Sequence, residues 1–113
     1  MIKNGLYSLI SKALDGVSDG ASAVVVLRDG TIRGGDSFFY FFGTYSSSDG
    51  KWRGEITSQE HTKAPTSRMM AGRVVNVGFS GTYTAKGAEA GATALVGKQS
   101  IRYDAILRLL IED

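Results

Sequence analysis

The run Ile101-Arg102-Tyr103-Asp104-Ala105-Ile106-Leu107-Arg108-Leu109 can be read as a strand or as a helix, and the architecture of the whole chain turns on the choice. Ile101, Tyr103, Ala105, Leu107 and Leu109 share one phase of a two-residue period, while Arg102, Asp104 and Arg108 occupy the other. A helix from Tyr103 to Glu112 is the chief competitor, because Ala, Leu and Arg are good helix formers. Periodicity favours a strand buried on one face.

The same rhythm recurs upstream. Ala88, Ala90, Ala92, Ala94 and Val96 fall in one phase, opposite Glu89, Gly91, Thr93 and Leu95. Lys51, Arg53 and Glu55 alternate with Trp52, Gly54 and Ile56 and should face water. The β-branched segment Ala23-Val24-Val25-Val26-Leu27-Arg28 meets Thr31-Ile32-Arg33 across Asp29-Gly30, the signature of a two-residue type I′ hairpin. Asp15-Gly16, Asp19-Gly20, Asp49-Gly50 and Lys86-Gly87 offer further turns, since glycine tolerates positive φ. The segment from Ser58 to Ala71, with Pro65, shows neither period and reads as the one long connection. These signals specify an all-β chain of many short strands, in which a row of alanines gives a closed sheet room for Tyr45, Trp52, Phe79 and Tyr83. The alternative use of that row is a cavity for a small apolar ligand, lined by Tyr7, Tyr45, Trp52, Tyr83, Ala90, Ala92 and Tyr103.

A chain of 113 residues is sized for one domain spanning residues 1-113, with 42% apolar and 21% charged residues, as globular chains have. It has no cysteine, which removes disulfides, thiolate metal sites and a Cys nucleophile, and fits a cytoplasmic protein. Its N-terminus has no continuous apolar run that would mark an export signal or a membrane span. Thirteen basic and eleven acidic residues are scattered almost singly, so direct nucleic-acid binding is not expected.

The phrase Gly-Thr-Tyr occurs at 43–45 and again at 81–83. It reads as scaffolding, with glycine relieving crowding and tyrosine filling the barrel end; the functional alternative is a rim of hydroxyls from Thr44, Tyr45, Thr82 and Tyr83. His61 is the only histidine, and the spacing of Ser58 or Ser67 gives it no nucleophile partner, so no catalytic, metal or cofactor residues are assigned. Gly34-Gly35-Asp36 lacks phosphate-loop spacing; Asp36 more naturally closes a turn, with partner contact as its other use. Phe38-Phe39-Tyr40-Phe41-Phe42 puts aromatic residues on both faces of one strand. If Phe39 and Phe41 point inward, Phe38, Tyr40 and Phe42 form an outward stripe suited to a subunit or partner interface, unless a loop covers it.

Asn4-Gly5-Leu6-Tyr7, Arg28-Asp29-Gly30-Thr31-Ile32-Arg33-Gly34-Gly35-Asp36 and Gly43-Thr44-Tyr45 together resemble the GrlR-type negative regulators of bacterial type III secretion. The resemblance is firmest before Ile56. It implies a lipocalin-like, up-and-down antiparallel barrel of about eight strands, homodimeric, that binds a transcriptional activator protein rather than catalysing a reaction. The family's acidic run after the first Gly-Thr-Tyr is replaced here by Ser46-Ser47-Ser48-Asp49-Gly50, with one carboxylate, which leaves Asp36, Ser48 and Asp49 as candidate partner-contact turns. The expectation is a regulatory binding module, with carriage of a small apolar ligand as the alternative.

Overall fold

The structure, a computed structural model, describes residues 1–14, 21–65 and 71–113. Its regular elements are all strands: β1 (Gly5–Ala13), β2 (Ala21–Arg28), β3 (Thr31–Gly35), β4 (Phe39–Ser48), β5 (Lys51–Glu60), β6 (Val75–Thr84), β7 (Gly87–Val96) and β8 (Gln99–Glu112). Each pairs antiparallel with the next and β8 returns to β1, closing an up-and-down barrel without an open edge. The C-terminal run is therefore a strand. It completes two ladders at once, to β7 from Val96↔Gln99 to Gly87↔Arg108 and to β1 from Ala13↔Tyr103 to Gly5↔Glu112, and no helix could satisfy both neighbours.

Up-and-down connectivity gives the barrel two unlike ends. At one end lie both termini and three two-residue turns. Asp29 (φ 49°) with Gly30 (φ 85°), and Asp49 (φ 53°) with Gly50 (φ 76°), carry the paired positive angles of type I′ hairpins. The third turn is Ala85-Lys86, not Lys86-Gly87: Gly87 opens β7, and a Cβ there would collide with the carbonyl of Leu107. The β1–β2, β3–β4, β5–β6 and β7–β8 connections lie at the other end, where Gly97 (φ 62°) turns β7 into β8. The expected turns Asp15-Gly16 and Asp19-Gly20 lie outside the described residues. The long connection begins later than its composition suggests, because Ser58, Gln59 and Glu60 pair with Phe41, Tyr40 and Phe39 in β5. Ladder bonds to β4 hold this polar run in a strand although it has no apolar alternation.

The alternation read from sequence fixes which residues fill the lumen. Tyr7, Val25, Leu27, Ile32, Trp52, Ala88, Ala90 and Leu107 are buried in one cluster, against which Tyr45, Phe79 and Tyr83 pack. Ala13, Val75, Val77, Ala94, Val96 and Ile101 form a second, joined to the first through Ile56. Bulk is matched to vacancy across the strands: Gly54 lies between Tyr45 and Phe79, and Gly81 between Trp52 and Ala90. A Cβ at 54 would come within 2.9 Å of the Phe79 ring. Trp52 crosses this space, 4.6 Å from Phe79 between ring centroids and 6.1 Å from Tyr45, and its Nε1–H donates to the Glu89 carbonyl at 3.0 Å.

Candidate functional site

The structure assigns the Gly-Thr-Tyr repeat a mechanical role. In both copies the glycine stands where a Cβ would strike a carbonyl of the neighbouring strand, that of Glu55 for Gly43 and of Glu89 for Gly81. The tyrosine side chains turn inward while Thr44 and Thr82 are exposed on the outer face, so the four hydroxyls do not line one rim. Burial raises the pKa of Tyr45, and it raises that of Tyr7 with additions from the charges of Tyr45 and Glu112. Tyr7 Oη donates to the Lys3 carbonyl at 2.6 Å. These phenols are packed as neutral groups.

Asp36 closes the turn into β4, its Oδ1 accepting the amides of Phe38 and Phe39 at 2.9 Å each. It stands at the opposite end of the barrel from Ser48 and Asp49, a full strand of about 30 Å away, so the three candidate contact turns do not form one surface. His61 is exposed and its ring bonds the Asp36 carbonyl and the Thr62 hydroxyl, whereas Ser58 points into the lumen between Phe41 and Val75. Serine and histidine are thus on opposite sides of the wall. Ser67 lies outside the described residues. Among the described residues, no group of three His, Asp or Glu side chains could hold a metal ion.

The aromatic strand resolves into two faces. Phe39 is buried and Phe41 half-buried in the lumen, while Tyr40 (39% exposed) and Phe42 (44%) stack on the outside with centroids 6.0 Å apart. Phe38 precedes the strand, half-buried in the turn, where its carbonyl accepts the amides of His61 and Thr62. The outward stripe is therefore Tyr40 and Phe42, flanked by Gln59, which accepts the Tyr40 hydroxyl at 3.0 Å.

That pair is one end of a larger surface. Register carries it sideways from Tyr40 to Gly35 and Val24, and from Phe42 to Arg33, Val26 and Leu6. Beyond β1, Ile10 (58% exposed) faces Ile106 (56%), with Leu110 and Ile111 also exposed on β8. The outer faces of β8, β1, β2 and β4 thus carry large apolar side chains, with the short β3 contributing Thr31, Arg33 and Gly35 between β2 and β4, whereas those of β5, β6 and most of β7 carry Lys51, Arg53, Glu55, Asn76, Ser80, Thr82, Glu89 and Thr93. The aliphatic part of this surface was not anticipated, although a signal exists: Ile106 and Leu110 break the polar phase of β8.

Neither protein-family models nor curated proteins give a match to this chain. The likeness to GrlR-type regulators therefore rests on its quoted motifs. None of the described residues forms a helix long and apolar enough to cross a membrane.

Proposed function

We propose that this chain is a non-catalytic binding module that works through protein contacts on the outer apolar half of its barrel, as a cytoplasmic homodimer. The observation that carries this reading is the asymmetry of the exterior: β8, β1, β2 and β4 expose Ile10, Val24, Tyr40, Phe42, Ile106 and Leu110, and the remaining wall is polar apart from Leu95. A contiguous apolar surface of this kind on a small domain is costly to leave in water and marks an interface. A second copy is its simplest occupant, since an isologous contact needs no surface beyond the one already present. The resemblance adds a transcriptional activator as the regulated partner. Lumen packing favours the exterior as the working surface over carriage of a small apolar ligand, because Trp52, Tyr45, Phe79 and Tyr83 occupy the space that the alanine row leaves.

Light scattering of the purified protein tests the dimer, with an expected mass of twice the chain. Tyr40→Glu should return the mass of one chain while circular dichroism keeps its β signature. A wild-type protein that runs at single-chain mass at high micromolar concentration overturns the dimer. Affinity capture from the native host, with Tyr40→Glu as control, tests for the activator.

A further inference from the structure

The strand glycines of this barrel fall into two kinds. Those at 5, 34, 35, 43, 54, 81 and 87 stand where a Cβ would collide with a neighbouring carbonyl, so the fold requires them. Gly78 and Gly91 are different: a Cβ at either would meet nothing within 4 Å, and neither has a positive φ. Glycine inside a strand costs about 0.5–1 kcal/mol relative to alanine and often marks a bulge, a tight bend or a place where a ligand or another backbone comes close; the ladders run through Gly78 and Gly91 without a register shift, so neither is a bulge.

Both glycines lie on the outer wall, and they line the same cavity. Cross-strand pairs place Ser80 beside Gly91 and Asp104, and Gly78 beside Thr93 and Arg102. The result is a half-open hollow of about 450 Å³, with a bare glycine floor, two hydroxyls and one charge of each sign, walled at one end by Leu14. The Leu14 amide donates to the Arg102 carbonyl at 2.8 Å and fixes that wall. Among the described residues neither Arg102 nor Asp104 forms an ion pair, although Lys12 stands across from Asp104 on β1.

We propose that this hollow binds a short zwitterionic peptide of dipeptide size. Arg102 takes the carboxylate through its planar fork and Asp104 the ammonium, both charge-assisted. Spacing supports the match: Arg102 and Asp104 project from one face of β8 two residues apart, about 7 Å, and an extended dipeptide separates its charged ends by about the same distance. The peptide lies flat across Gly78 and Gly91, within reach of the Ser80 and Thr93 hydroxyls. The hollow spans β6, β7 and the polar start of β8, beside the proposed protein interface, and none of its lining residues is among the exposed apolar side chains that carry that interface, so the two are tested separately.

Titration of the full chain with alanylalanine, followed by calorimetry and amide chemical shifts, tests the proposal. Saturable binding is expected with shifts centred on Gly78, Gly91 and Arg102, and both N-acetylated and C-amidated forms should bind about tenfold more weakly. Gly91→Val should abolish binding without lowering the melting temperature, because its side chain enters open space. Arg102→Gln should weaken the free peptide about tenfold and the amidated form little. No saturable binding at millimolar peptide, or binding that survives Gly91→Val, overturns the assignment.

Discussion

The backbone amide of Tyr83 donates to the carbonyl of Gly50 at 2.9 Å, and the same bond recurs from Tyr45 to Gly30, also at 2.9 Å. In each case the tyrosine of a Gly-Thr-Tyr phrase reaches back to the turn glycine of the preceding hairpin. Leu109 continues the series by donating to Lys86 at 2.8 Å. Each tight turn is thereby tied to the strand that follows its hairpin, which staggers the strands and helps the sheet close.

This linkage makes Gly81 and Gly78 a controlled comparison on one strand. Gly81→Ala drives a Cβ into the Glu89 carbonyl beside Trp52 and should cost about 2 kcal/mol or more in urea unfolding. Gly78→Ala meets no atom and should be neutral or stabilising by about 0.5–1 kcal/mol. Equal losses at both positions would contradict the distinction between glycines of the fold and glycines of the outer wall.

Ser58 Oγ is buried, with the residue 2% exposed, and has no hydrogen-bond partner. A hydroxyl desolvated without compensation costs about 1–3 kcal/mol, so Ser58→Ala removes a penalty and leaves only a small void. The variant should match or exceed the wild type, by up to about 1 kcal/mol, in the denaturant midpoint. A loss of similar size would mean that the hydroxyl is bonded in solution.

The closed antiparallel barrel was legible because alternation persists where it matters: Ile101 to Leu109, Ala88 to Val96 and Lys51 to Ile56 each show which face is dry. Hairpins at Asp29-Gly30 and Asp49-Gly50 were legible because positive φ leaves few residue choices. The end of β5 was hidden because Ser58 turns a hydroxyl inward and Gln59 a polar group outward, so composition carries no period there. Phe38 was misplaced for a different reason, since Asp36 accepts two successive amides and delays the strand by one residue. The apolar exterior was half legible. Aromatic crowding exposes Tyr40 and Phe42 in the sequence, but Val24 and Ile10 join them only through barrel register.

Alkaline pH should weaken the fold through the buried phenols. Burial raises the pKa of Tyr7 and Tyr45 above the ordinary value near 10 that an unfolded chain would show. Below that value both states are neutral and stability is unaffected. As pH rises past it, the unfolded chain binds fewer protons than the folded one, so stability falls until the folded phenols also ionise. The denaturant midpoint should therefore hold from neutrality to about pH 10 and decline beyond. Tyr7→Phe should lose about 1 kcal/mol near neutrality through its bond to Lys3, yet show a shallower alkaline decline.

Ile106 and Leu107 are adjacent in β8 and face opposite ways, which separates the demands of the fold from those of the interface. Leu107 is 4% exposed within the lumen cluster, so Leu107→Ala should cost about 2–5 kcal/mol whatever the oligomeric state. Ile106 is more than half exposed in the isolated chain, and Ile106→Ser should leave the stability of a dilute monomer within about 0.5 kcal/mol of the wild type. At high concentration the two proteins diverge if the outer half is covered by a second copy. Mass action then raises the melting temperature of the wild type with concentration, and the serine variant loses that dependence. A wild-type melting temperature that does not move over a hundredfold range of concentration, together with single-chain mass, would remove the second copy as the occupant of this face.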